Sequence, residues 1–233
     1  MDSASIAAII RSEIPKSVML DHAEVPGAAR RVAAEKAREM GLSGRDARRS
    51  TGFNAHLVME RRLKEICEEA GGLVVEGRVF PGTELTLHQP LMQYGRVLLG
   101  RATVHERGGL PSANVTRRNG AKLNSCLGRV GHLFGVETDP NAPIHVLILT
   151  LSDCHELEKI AATYLAIIAP TFDSFLFRVD LDDFIGGYDE SSVAEADASP
   201  VGAIDLGLEP RKGVRPYFGE EHRPSDNRAD GSR

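Results

Sequence analysis

The residues best suited to chemistry lie in one basic segment near the middle of the chain, which we call the basic insert (residues 105–142). Between Gly100 and Gly131 there are five Arg and one Lys against a single acidic residue, Glu106. Guanidinium, amide and hydroxyl groups contact phosphates, sugars and base edges, and glycines let backbone N–H groups approach an anion closely. The segment predicts a nucleic-acid surface whose contacts are Asn114, Arg117, Arg118, Asn119, Lys122 and Arg129. The alternative is a solvated, flexible loop that binds no ligand.

A second strip of cationic residues precedes the insert. Residues 42–53 read as a basic connector between two helices, and they include Arg45, Arg48 and Arg49. We expect these three arginines to add contacts to nucleic-acid phosphates. Aromatic residues are scarce near the insert, with only Tyr94 close by, and this argues against a platform for single strands.

Three carboxylates are the candidates for a catalytic site. Glu60 falls on a predicted helix, whereas Glu76 and Glu84 fall on predicted strands. Together they would make a degenerate site for Mg²⁺, the cofactor expected if the protein is a nuclease, although no metal-ligand pattern identifies the metal. The alternative is that all three are solvated surface carboxylates.

A cysteine supplies a weaker candidate for catalysis. Cys154 would begin a predicted helix, where a thiol is activated, and His145 and His155 are near it in sequence. Simple packing is the alternative, because no third, orienting group is evident. The chain has three cysteines, an odd number that fits neither a disulfide framework nor a paired-cysteine zinc site.

The charge of the chain is unevenly distributed. The 233 residues carry a net charge of −5, yet residues 30–64 and 94–130 are basic and residues 180–233 are acidic. An acidic tail that covers a basic body suggests autoinhibition, or an assembly module with no chemistry in which the tail meets a neighbouring subunit of a homo-oligomer. No apolar run reaches the length of a membrane span and no export signal is evident, so we expect a cytoplasmic protein.

The elements that must position these residues form an α+β protein. Hydrophobic periodicity predicts helices at 3–14, 27–41, 54–72 and 152–168, and strands at 73–80, 84–91, 95–105, 143–151 and 173–181. We expect a mixed sheet of about five strands packed by helices. The predicted divisions are a basic helical region (1–53), an α+β core that carries the basic insert (54–188) and a disordered acidic tail (189–233).

This order of elements resembles the helix–three strands–helix–strand core of the PD-(D/E)xK nucleases. The resemblance implies DNA as the ligand and a divalent metal held by an acid on one strand and a Glu-x-Lys motif on the next. Neither Glu-x-Lys nor Asp-x-Lys occurs in this chain. The nearest variant is Glu76-Gly77-Arg78, so the sequence predicts a DNA-binding protein of nuclease-like build without fixing a catalytic site.

Overall fold

One mixed sheet organises the computed structural model, which describes residues 1–75, 89–127, 141–153 and 155–188. Its six described strands follow one another across the sheet in chain order. Neighbouring strands are antiparallel except for the third and fourth, which are parallel. The strands are β1 (Leu73–Val75), β2 (Leu91–Tyr94), β3 (Val97–Val104), β4 (Ile144–Ser152), β5 (Ile160–Ile168) and β6 (Phe175–Asp180).

Five helices are present in the described part of the chain. Asp2 caps the first by accepting a hydrogen bond from the Ser5 N–H, and small residues, such as Ala29 and Ala33, form the buried side of the second. The helices are α1 (Ser3–Glu13), α2 (Lys16–Glu39), α3 (Gly44–Glu69), α4 (Val115–Leu123) and α5 (Leu181–Gly186).

The helices cover both faces of the sheet. Alternate residues of β3 and β4, such as Leu99 and Val146, pack in the main core with α1, α2, α3 and α5. The intervening residues, such as Ala102 and Leu147, pack in a second core with Ala121 of α4. The parallel pairing of β3 with β4 requires a crossover connection, and α4 lies within that connection.

The α+β class and the mixed sheet with packed helices are confirmed, but two predicted elements are wrong. Residues 160–168 form β5 rather than the end of a helix. Asp153 does cap the following backbone, since it accepts hydrogen bonds from the N–H groups of His155 and Glu156, but this closes a turn into a strand. Branched and aromatic residues, such as Ile160, Tyr164 and Leu165, then pair with β4.

The second error concerns the basic connector. Residues 44–53 belong to α3, which begins at Gly44 and continues without a break through residue 54, where the sequence predicts the start of the helix. Apolar and small side chains at helical spacing explain this, because Ala47, Thr51 and Ala55 are buried. The basic insert also contains α4, although the sequence pattern predicts no helix there.

Several predicted features lie outside the described residues. They include Glu76, Glu84, Arg129, Cys154 and the acidic tail from residue 189 onward. Within the described ranges, no helix is both long enough and apolar enough to cross a membrane.

Candidate nucleic-acid interface

Arg101 joins β3 to α3 through a compact polar network. It replaces an apolar residue on the sheet face that carries Val97 and Leu99, so its guanidinium points toward α3. Its Nη2 lies 3.3 Å from Glu60 Oε1 and 3.3 Å from the backbone oxygen of His56, and it also contacts His56 Nδ1. The side chains of Arg101 and Glu60 are only 14% and 21% exposed, so solvent screens their attraction less than at an open surface.

His56 completes this network as a neutral imidazole. Burial and the nearby charge of Arg101 lower its pKa, against the opposite effect of Glu60. Its Nδ1 accepts from Arg101, and its Nε2 lies 3.3 Å from Glu60 Oε1. The three side chains therefore fix one another, and Glu60 is held by Arg101 and His56.

Helix α4 brings a second arginine to the same region from the other face of the sheet. The Arg117 N–H donates to the Asn114 side chain (2.7 Å), which caps the helix, and Arg117 Nη1 donates to the backbone oxygen of Ser112 (2.7 Å). Arg117 Nε is buried without a hydrogen-bond partner among the described residues. Burial lowers the Arg117 pKa, although a guanidinium remains charged.

His145 packs against α4 from the sheet. It is buried on β4, and burial, with a smaller effect of Arg117, lowers its pKa to about 4. Its ring lies against Gly120, where a Cβ would be 2.5 Å from Nδ1. Asn124 ties the segment after α4 to the sheet: it accepts from the His145 N–H (2.7 Å) and donates to the backbone oxygens of His145 (3.1 Å) and Ile168 (2.9 Å).

The two arginines meet at a small pocket beside the start of β2, which we call the arginine pocket. Arg117 is close enough to Arg101 to lower its pKa, in addition to the larger effect of burial. Apolar side chains, such as Leu63, Leu91 and Leu147, form much of the wall. The polar residues at the pocket are Glu60, Gln89, Arg101, Thr116, Arg117 and His145.

The other predicted contacts on α4 have different surroundings. Arg118 and Lys122 are exposed one helical turn apart and make no ion pair with a described residue. Asn119 is half-buried. Asn114 is exposed, but its side chain already caps α4, which leaves it less free to read a base.

Arg45, Arg48 and Arg49, which we call the amino-terminal arginines, are exposed in the first two turns of α3. None of the three forms an ion pair with the described part of the chain. Farther along the same helix, Arg61 pairs with Glu65, and Arg62 pairs with both Glu65 and Glu69. The unpaired cationic residues of α3 are therefore concentrated at its start.

The structure gathers only one of the predicted catalytic residues. Glu60 lies in the arginine pocket, whereas the positions of Glu76 and Glu84 are not described, and the described ranges contain no group of three side chains able to hold a metal. His145, proposed as a partner of Cys154, is seven strand residues before Ser152, or about 23 Å at the rise of an extended strand. His155 is exposed next to the undescribed Cys154.

Sequence reasoning missed Arg101, His56 and Gln89. Arg101 was the one detectable signal, because a charged residue within an otherwise apolar strand needs a partner. His56 and Gln89 carry no such signal, since their roles depend on how α3 and β2 approach β3. No protein-family model, curated protein or solved structure gives a significant match to the chain.

Proposed function

We propose that this protein binds nucleic acid, with DNA as the expected ligand. One observation carries the proposal: five exposed cationic side chains on two helices have no ionic partner among the described residues, although arginines elsewhere on α3 are paired. Exposed cations without local partners can exchange counterions for phosphates, which is the main source of affinity for nucleic acids. The five are Arg45, Arg48, Arg49, Arg118 and Lys122.

The arginine pocket supports the same proposal, because it connects the two helices that carry these cations. Helix α3 contributes Glu60 and Leu63 to the pocket, and α4 contributes Thr116 and Arg117. A nucleic-acid strand that contacted both helices would pass this pocket. Arg117 adds positive charge there, whereas the charge of Arg101 is paired with Glu60.

Metal-dependent cleavage is a second candidate, favoured by the order of elements. The succession α3, β1, β2, β3, α4, β4 is again helix–three strands–helix–strand, with α4 of the basic insert as the second helix. Glu60 is the carboxylate that lines the arginine pocket, and Mg²⁺ would be the cofactor. A nuclease also needs further metal ligands, for which Glu76 and Glu84 stay candidates.

The proposal is tested by the salt dependence of DNA binding. Fluorescence anisotropy with a mixed-sequence duplex, over a series of salt concentrations, should give a steep linear plot of log affinity against log salt. The double substitution Arg118→Gln/Lys122→Gln should reduce the slope by about two, because each phosphate contact contributes about 0.9. The paired Arg61 and Arg62, changed to Gln together, are the matched control and should alter the slope little.

Two further outcomes decide between the candidates. No binding of the unmodified protein to DNA or RNA at low salt would contradict the proposal and would favour a protein partner, as in an assembly module. Binding with cleavage that requires Mg²⁺ and is lost in Glu60→Gln would support the nuclease. Binding without cleavage would leave a non-catalytic DNA-binding protein.

A further inference from the structure

A solvent-exposed aromatic ring lies among the amino-terminal arginines. Phe53 is 65% exposed on α3, and Leu57, one turn later, is 48% exposed. Residues four apart lie on one side of a helix, so Arg45, Arg49, Phe53 and Leu57 follow one another along it at steps of about 6 Å. Phe53 is absent from both described cores, so its ring is left exposed next to Leu57 and the amino-terminal arginines.

Helix stability does not account for the charges beside Phe53. The free N–H groups at a helix start carry partial positive charge, which disfavours cations in the first turns. Helix α3 nevertheless has three arginines there against one acid, Asp46, and its capping residue, Ser43, makes no side-chain hydrogen bond. This arrangement suits an anionic ligand better than it suits the isolated helix.

We propose that Phe53 stacks on an unpaired base of a nucleic acid while Arg45 and Arg49 contact the neighbouring phosphates. The inference rests on the proposed function and adds the kind of ligand: a single strand, or a duplex with an extruded base. Aromatic rings accept any base face, and a basic surface that follows the backbone is their usual companion in proteins that bind single strands. The same helix continues through His56 and Glu60 to the arginine pocket, so the stacked base and the pocket would share one path.

A nucleic acid suits this surface better than a second copy of the chain. In a two-fold dimer the same patch meets itself, so the three amino-terminal arginines of each protomer would face those of the other with only Asp46 of each protomer to offset them. A strand of nucleic acid supplies the phosphates and the flat ring together. An acidic protein would neutralise the charges, but it would not distinguish an aromatic ring from an aliphatic side chain of similar size.

The test compares Phe53→Ala, Phe53→Leu and Phe53→Tyr with the unmodified chain. The ligands are a single-stranded oligonucleotide that contains 2-aminopurine and a blunt duplex of the same length. Phe53→Ala should weaken single-strand binding by about fivefold to a hundredfold, since stacking of one base contributes about 1–3 kcal/mol. Phe53→Tyr should bind like the unmodified chain, Phe53→Leu should behave like Phe53→Ala, and the quenching of 2-aminopurine should be lost with the ring.

Two controls separate stacking from charge and from folding. Arg49→Gln should reduce the single-strand salt slope by about 0.7, whereas Phe53→Ala should leave that slope unchanged. Leu20→Ala, which removes an apolar side chain that is 45% exposed on α2, should leave binding unchanged. Each variant's melting temperature confirms that it folds, and Phe53→Leu keeps an apolar side chain if Phe53→Ala is unstable.

The outcomes that overturn the inference differ from those that overturn the proposed function. In one outcome, Phe53→Ala binds nucleic acid as the unmodified chain does while Arg49→Gln binds it more weakly. That result would refute stacking by Phe53 but would still support the basic surface as the binding site. If the unmodified protein is a dimer in solution and Phe53→Ala is a monomer, the ring belongs to an interface between two copies of the chain instead. Absence of any binding by the unmodified chain would refute both proposals.

Discussion

Glu60 and Arg101 approach to 3.3 Å and form an ion pair that connects α3 to the middle of β3. Both side chains are largely buried, and His56 contacts each of them. Breaking a buried pair by removing one partner costs more than the pair itself contributes, because it leaves the other charge unpaired. This relationship makes Glu60 a structural residue of the arginine pocket as well as a candidate for catalysis.

We therefore expect Glu60→Ala to lower the free energy of unfolding by about 1–3 kcal/mol, less than for a fully buried pair because some solvent reaches it. Urea denaturation at neutral pH measures the change. Glu65→Ala is the matched control on the same helix, since its exposed pairs with Arg61 and Arg62 should contribute less than about 1 kcal/mol. Equal losses in the two variants would contradict a special role for Glu60.

The close contact between Gly120 and His145 gives a second prediction. Alanine is normally the better helix residue, but a Cβ at Gly120 would lie 2.5 Å from Nδ1 and 2.7 Å from Cγ of a buried ring. We expect Gly120→Ala to destabilise the protein by about 1–3 kcal/mol, because α4 or the buried ring would have to shift to accommodate the Cβ.

Gly52→Ala tests the same substitution without the steric clash. Gly52 is exposed in the interior of α3, and a Cβ there would meet nothing within 4 Å. This variant should gain about 0.5–1 kcal/mol of stability. Thermal melts of both variants measure the contrast, and a gain in Gly120→Ala would show that α4 does not lie on His145 as described.

The chain's own pattern accounts for much of the fold but for only part of the candidate site. Runs of apolar residues predict β3 and β4, whose side chains are mostly buried, and β6, whose side chains are mostly half-buried. Residues 160–168 were misread because a stretch of Ile, Ala, Leu and Tyr satisfies helical spacing as well, and only pairing with β4 decides between the two.

Arg117 was found from local composition, whereas its meeting with Arg101 depends on the crossover that places α4 opposite α3. Phe53 was assigned to a connector, so its exposure on a helix was not foreseen.

Acidification should weaken the fold through two buried histidines. His22 is fully buried with its Nε2 3.0 Å from the Tyr94 hydroxyl, and burial lowers its pKa to about 4, as it does for His145. Because each folded-state pKa lies below the unfolded value of about 6.5, the unfolded chain binds the extra protons. The stability that each neutral, buried histidine gives the fold is fully present above pH 6.5 and is lost as the pH falls toward 4. This stability is on the order of 3 kcal/mol for each histidine.

Urea denaturation between pH 7 and pH 5 measures this dependence. His22→Gln keeps a hydrogen-bonding group near Tyr94 but does not titrate in this range. Its unfolding free energy should therefore fall less steeply with decreasing pH, by up to about 1.4 kcal/mol per pH unit. Parallel slopes for the variant and the unmodified chain would show that His22 does not protonate on unfolding.

The acidic carboxyl-terminal segment gives the last prediction, which concerns DNA affinity. Residues 189–233 contain ten acidic residues against six Arg and Lys, and they follow directly on Tyr188, whose hydroxyl donates to the Ile14 backbone oxygen (2.7 Å) near the first helix. If this segment competes with DNA for the five exposed cations, a chain ending at Tyr188 should bind a duplex more tightly, with the largest gain at low salt, where electrostatic competition is strongest. Anisotropy titrations of the full and shortened chains measure the difference, and replacing the ten acids by their amides in the full chain is the matched control. Equal affinities at every salt concentration would exclude autoinhibition by the segment. A shortened chain that changes its oligomeric state in sedimentation, but not its DNA affinity, would assign the segment to subunit assembly.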